Sequence, residues 1–111
     1  MKKVLIIDDE IDFCSLMKQF LTRKHFEVEI AHTLSEGLQK LQDTKPDLVF
    51  LDNNLPDGIG WDSVVMMINR HPGIRINLIS AFKNGQEPVI HAQVKILEKP
   101  VTFSALENYL Q

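Results

Sequence analysis

The sequence predicts an α/β fold: a doubly wound, five-stranded parallel sheet in the order 2-1-3-4-5, covered by helices on both faces. Three observations predict it. Short apolar runs without helical period recur, as in Val4–Ile7 and Leu48–Leu51. Stretches whose apolar residues fall at helical spacing lie between them. The two kinds of segment alternate, with one doubtful helix before the last strand. Strands apolar on both sides imply a parallel sheet buried between helical layers, and right-handed crossovers restrict the layout.

Each element has its own reason. Val4–Ile7 is too short for a helix and reads as a strand buried on both faces. From Ile11 to Lys24 the period changes: Phe13, Leu16, Met17, Phe20 and Leu21 form one helical stripe. Glu27–Ala31 alternates, so it predicts a half-exposed edge strand. Thr33 or Ser35 can cap a helix carrying Leu34, Leu38 and Leu41. Pro46 ends that connection, and Leu48–Leu51 is a second buried strand. Asn53 to Gly60 is a loop by its Pro56, Asp57, Gly58 and Gly60. Asp62–His71 is helical, with Val64, Val65 and Ile68 on one side, and His71-Pro72-Gly73 stops it. Arg75–Ile79 and Val94–Leu97 are the last strands, and Thr102–Leu110 the last helix, with Phe103, Leu106 and Leu110 as its stripe.

Composition bounds the function. A chain of 111 residues, 44% hydrophobic and 24% charged, suits one domain with its own core, expected over residues 1–111. A net charge of −3 without a basic block argues against nucleic-acid binding. The lone Cys14 excludes a disulfide framework and a thiolate metal cage. The apolar run after Lys2-Lys3 stops at Asp8-Asp9, far short of a secretory or membrane segment, so a cytoplasmic location is expected.

In such a sheet, ligands bind beyond the carboxyl ends of the strands, at the point where strand order reverses. There the first strand ends in Asp8-Asp9-Glu10, the third in Asp52, the fourth in Ser80 and the fifth in Glu98-Lys99-Pro100. Clustered carboxylates repel one another, and a hard divalent cation with oxygen ligands, Mg²⁺ above all, relieves that. Together with an ammonium, a hydroxyl and a central carboxylate, it makes a site for phosphoryl transfer, with Asp52 as nucleophile. Each residue alone has a plainer reading: Asp9 can cap the first helix, and Asp52 can be a turn residue. Their joint placement at strand ends favours chemistry.

Val4–Glu10, Asp47–Gly60, Ile79-Ser80-Ala81 and Leu97–Pro100 together resemble the receiver domain of bacterial two-component response regulators, over the whole chain. The resemblance implies a flavodoxin-like receiver fold. It also implies that Asp52 is the phosphoacceptor, that Asp9 holds Mg²⁺ directly and Asp8 through water, and that the Asn54 carbonyl is a further ligand. Ser80 and Lys99 would contact the phosphoryl group, and the Lys99-Pro100 bond would be cis. The expected donor is a phosphohistidine on a sensor histidine kinase or histidine phosphotransfer protein. The domain would assist its own phosphorylation and dephosphorylation without being an enzyme in the ordinary sense.

The sequence departs from that pattern in three places. Ile96, three residues before Lys99, replaces the family's switch aromatic. The segment from Phe82 to Gln93 is short and holds Gly85 and Pro88, which predicts that the helix between Asn84 and Gln93 is short, frayed or absent and that output uses another or a changed surface. Asn53 is polar where the family is usually apolar, and Asn53 and Asn54 are expected to tune phosphate lifetime, in either direction. Ile11 is expected to be exposed beside the acidic rim, as a docking contact or as incidental surface. Trp61 is expected to pack at the start of the third helix, Cys14 to serve packing, and His25, His32, His71 and His91 to be solvated.

Two readings from different classes follow. One is a phosphoaccepting signalling domain whose phosphorylation switches partner interactions. The other is a pseudo-receiver, a constitutive protein-interaction module. A dehalogenase-type phosphatase needs Asp-x-Asp after the first strand and meets Glu10 instead. The chain would act alone or as the first domain of a longer regulator with an output module.

Overall fold

The computed structural model describes residues 2–81 and 92–109. Its elements run β1 (Lys3–Ile7), α1 (Ile11–Arg23), β2 (Glu27–Ala31), α2 (Leu34–Thr44), β3 (Leu48–Asp52), β4 (Asn54–Leu55) and β5 (Gly58–Ile59). A 3-10 turn (Gly60–Ser63), α3 (Val64–Arg70), β6 (Arg75–Ser80), β7 (Val94–Glu98) and α4 (Phe103–Tyr109) complete them.

Five strands form one all-parallel sheet in the order β2-β1-β3-β6-β7, the predicted arrangement. Alternate residues of each strand feed opposite cores. Leu5, Ile7, Val49, Leu51, Ile76 and Leu78 pack with Leu41 of α2 and with Val64 and Met67 of α3. Val4, Ile6, Phe50, Ile79 and Leu97 pack with Cys14, Met17 and Leu21 of α1 and Leu106 of α4. Two buried faces explain why β1 and β3 read as unbroken apolar runs, whereas β2, at the edge, alternates. Where α2 crosses β1, a Cβ on Gly37 would stand 2.6 Å from Ile7 Cδ1, so glycine sets the closeness of that contact.

Several expectations need correction. Leu16 is 51% exposed, and Cys14, at 1%, takes its place: the buried line of α1 is Cys14–Met17–Leu21. Val65 is 51% exposed, and Met67 fills the core instead. The third helix is a 3-10 turn followed by seven α-helical residues, with Trp61 half-buried in the turn against the α2/α3 core. Part of the loop after β3 is a small antiparallel hairpin pairing Asn54 with Ile59 and Leu55 with Gly58. Phe103 is 45% exposed but stacks on Phe20 at a centroid distance of 5.2 Å, and Lys24 pairs with Glu107 beside it at 2.7 Å, clasping α4 to α1. Of the segment between Asn84 and Gln93, where a reduced helix is expected, residues 84–91 lie outside the described residues, as do the expected core residue Leu110 and the expected solvated His91. Among the described residues, no helix is long and apolar enough to cross a membrane.

Candidate functional site

The β1 ladder ends where Asp8 N–H donates to the Ala31 carbonyl at 3.0 Å. The chain then turns into α1, and Asp8 Oδ1 accepts the Glu10 N–H at 2.9 Å. Glu10, not Asp9, occupies the N-cap of α1, without a side-chain cap bond. Asp9 is therefore exposed and unused by the helix, while Asp8 is only 2% exposed. Burial, and then the negative charges of Asp52 and Glu10, raise the Asp8 pKa from 3.8 to about 6, against the lowering effect of the Glu10 hydrogen bond and of Lys99.

Asp52 closes β3 and is 1% exposed. Its Oδ1 accepts the Asn54 N–H at 3.2 Å and lies 3.0 Å from Lys99 Nζ. Lys99 follows β7, and its N–H donates to the Ser80 carbonyl at 2.9 Å, which ties the ends of β6 and β7 together. The Lys99-Pro100 peptide is cis, as expected. Burial works against the Lys99 ammonium, but the hydrogen bond and charge of Asp52, with Asp8 and Glu10 behind it, raise its pKa above the ordinary value. Ser80 ends β6 and is 2% exposed; the register sets Asp52 opposite Ile79, one residue before it.

Asp8, Asp9 and Asp52 each offer an oxygen within 4.8 Å of the others. Three hard oxygen donors this close, two of them on buried carboxylates, fit a small divalent cation such as Mg²⁺, which keeps water in its remaining positions. An open cleft of about 430 Å³ adjoins them, lined by Glu10, Phe13, Ile79, Lys99, Pro100 and Val101 as well as Asp8. Asn54 stands on the β4–β5 hairpin beside Asp52. The structure thus brings Asp8, Asp9, Asp52 and Lys99 into one pocket.

Three further residues shape the pocket. A Cβ on Gly60 would lie 2.5 Å from the Asp52 carbonyl oxygen, so only glycine lets the returning loop close on Asp52. Asn53 is buried with its Oδ1 accepting the Trp61 N–H at 3.0 Å, which gives this polar residue a structural task at the start of the third helix. His32, like His71, is half-buried, contrary to the expectation of solvated histidines, and its Nδ1 lies 2.9 Å from the Asp8 carbonyl oxygen. A histidine just after an edge strand carries no sequence signal for that contact. Ile11, by contrast, is exposed as expected, at 66%.

Comparison with known proteins gives this geometry a family. The sequence model of the response regulator receiver domain matches residues 4–111. The chain is 32% identical over 99 residues to the uncharacterized transcriptional regulatory protein YvcP of Bacillus subtilis, covering 81% of this chain and 42% of that protein. It is 30% identical over 95 residues to the chemotaxis protein CheY of Thermotoga maritima, covering 85% of this chain and 78% of that one. In fold it matches the response regulator TrrA of Thermotoga maritima, solved in complex with Mg²⁺-BeF, with a TM-score of 0.85 at 24% identity, over 99% of this chain and 96% of that one. The chain spans less than two thirds of the length of several curated relatives, 18% of the response regulator PilR of Pseudomonas aeruginosa among them. A whole-length family match and a shared five-stranded sheet place this chain in the response regulator receiver domain family, the receiver module of two-component signalling.

Proposed function

We propose that this receiver domain accepts a phosphoryl group on Asp52 from a phosphohistidine of a sensor histidine kinase or histidine phosphotransfer protein, and that the phosphorylated form binds its partners differently. The carrying observation is a carboxylate 1% exposed at the end of a central strand, held at 3.0 Å by the Lys99 ammonium and flanked by two further carboxylates. Burial of so much negative charge disfavours the empty pocket, and a cation relieves it.

Asp8, Asp9 and Asp52 would hold Mg²⁺, with the Asn54 carbonyl as a further oxygen donor. When bound, the ion supplies positive charge for the phosphoryl oxygens. Asp52 is the nucleophile. Its Oδ1 takes the bonds from Lys99 and Asn54, so we assign Oδ2 as the attacking atom. The new O–P bond forms as the donor's N–P bond breaks, and the imidazole nitrogen departs with the bonding pair. Lys99 moves its charge from the carboxylate to a phosphoryl oxygen, and the Ser80 hydroxyl at the end of β6 donates to another. The domain works from the cytoplasm, beside its kinase.

The test is intact-mass spectrometry after incubation with a small phosphodonor, with and without Mg²⁺, on wild type and Asp52→Ala. A Mg²⁺-dependent, base-labile phosphoryl adduct on the wild type alone supports the reading. Its absence, with partner binding unaffected by phosphodonor, leaves the constitutive interaction module.

A further inference from the structure

We propose that His32 is a positioning residue for the acidic pocket, orienting Asp8 and Asp9 through one hydrogen bond to the peptide that joins them. The inference rests on the metal-dependent reading above. The carbonyl of Asp8 belongs to the Asp8–Asp9 peptide, so its direction sets how the two carboxylates stand relative to each other. It lies past the last ladder bond of β1, beside a turn, where no strand among the described residues supplies a donor.

Two side chains converge on it instead. Cys14 Sγ donates at 3.3 Å, a weak bond, and His32 Nδ1 stands at 2.9 Å. A carbonyl oxygen can only accept, so Nδ1 carries the proton. His32 is the one nitrogen donor that the described side chains bring to this oxygen.

The residue that reaches across is itself held. The His32 N–H donates to Glu36 Oε1 at 2.8 Å, while Thr33 Oγ1 accepts the Glu36 N–H at 3.1 Å. From the other side, Asp57 in the hairpin after Asp52 accepts the Leu34 and Ser35 N–H groups at 2.7 and 2.9 Å. The start of α2 therefore anchors both loops of the pocket: the β1–α1 turn through His32, and the β4–β5 hairpin through Asp57. Such outer-shell bonds fix ligand direction, and their loss weakens metal affinity.

The experiment compares His32→Leu with His32→Asn. The Asn amide places a donor near the position of Nδ1, and Leu has the same shape without it. Mg²⁺ affinity is measured by calorimetry on each full chain, and metal-free thermal unfolding is followed in parallel. The expected result is a Mg²⁺ Kd weakened about 3- to 10-fold in His32→Leu and within about twofold of wild type in His32→Asn, from the loss or retention of one neutral hydrogen bond. Leu matching wild type overturns the inference, and so does Asn weakened as much as Leu. Should the Leu variant fail to fold, Asn alone decides, and a loss of about tenfold in Kd overturns the inference. Wild type that binds no Mg²⁺ overturns the underlying reading first, and this inference with it.

Discussion

Asp8→Asn should stabilise the metal-free domain. Folding raises the Asp8 pKa from 3.8 to about 6, chiefly by burial and then by Asp52 and Glu10. An acid whose pKa rises on folding destabilises the fold wherever it must stay ionised. That cost is absent below pH 3.8 and fully present above about pH 6. At about 1.4 kcal/mol for each tenfold change in acidity, the rise costs about 3 kcal/mol at pH 7.5, falling to about half of that at pH 5. Asparagine removes the charge yet keeps an oxygen for the Glu10 N–H. For a domain of this size, about 4 °C accompanies each kcal/mol, so the melting temperature should rise by about 12 °C at pH 7.5. Calorimetry in chelator at the two pH values measures it. Mg²⁺ should then close the gap, because it stabilises wild type by mass action and the variant far less. A variant no more stable than wild type at pH 7.5, or a gain that does not shrink toward pH 5, refutes the reasoning.

Other perturbations probe other parts of the pocket. Ile11→Asp places a charge at the 66% exposed end of α1 and should slow phosphotransfer from a histidine donor while leaving a small phosphodonor unaffected; equal slowing removes Ile11 from the docking surface. Gly60→Ala must push a methyl group away from the Asp52 carbonyl, and should cost about 1–3 kcal/mol in chemical denaturation and slow phosphorylation of Asp52. The Cys14 thiol, raised to about 12 by burial and by the Asp8, Asp9 and Glu10 charges, should resist alkylation at pH 8 in the native state and react on unfolding.

Much of this architecture is legible in the sequence because parallel strands covered on both faces leave a local mark. Val4–Ile7 and Leu48–Leu51 are apolar throughout because their neighbouring residues enter different cores. The edge strand β2 alternates for the complementary reason. The pocket is legible because its carboxylates and lysine directly follow strand ends, which topology brings together. The features that are not legible depend on long-range contacts. The choice of Thr33 over Ser35 as cap follows from a helix start whose next N–H groups are claimed by Asp57, more than twenty residues away in sequence. Periodicity finds the buried face of α1 through Phe13, Met17, Phe20 and Leu21 but misplaces one position, because Leu16 is apolar yet faces solvent, while Cys14, a small hydrophobe, lies on the buried line with Met17 and Leu21. The structural task of Asn53 is not legible, because its bond to the Trp61 N–H exists only once the loop is folded. His32 has no periodicity or motif to announce it, because its partner is a backbone carbonyl.

The central claim is that Asp52, and no other carboxylate of the acidic rim, carries the phosphoryl group. Borohydride reduction of phosphodonor-treated protein, followed by peptide mapping, tests it at residue level, since reduction converts an aspartyl phosphate to homoserine. The account predicts homoserine at position 52 alone, and only when Mg²⁺ was present. Homoserine at position 8 or 9, or none anywhere under conditions where Mg²⁺ binds, would contradict it.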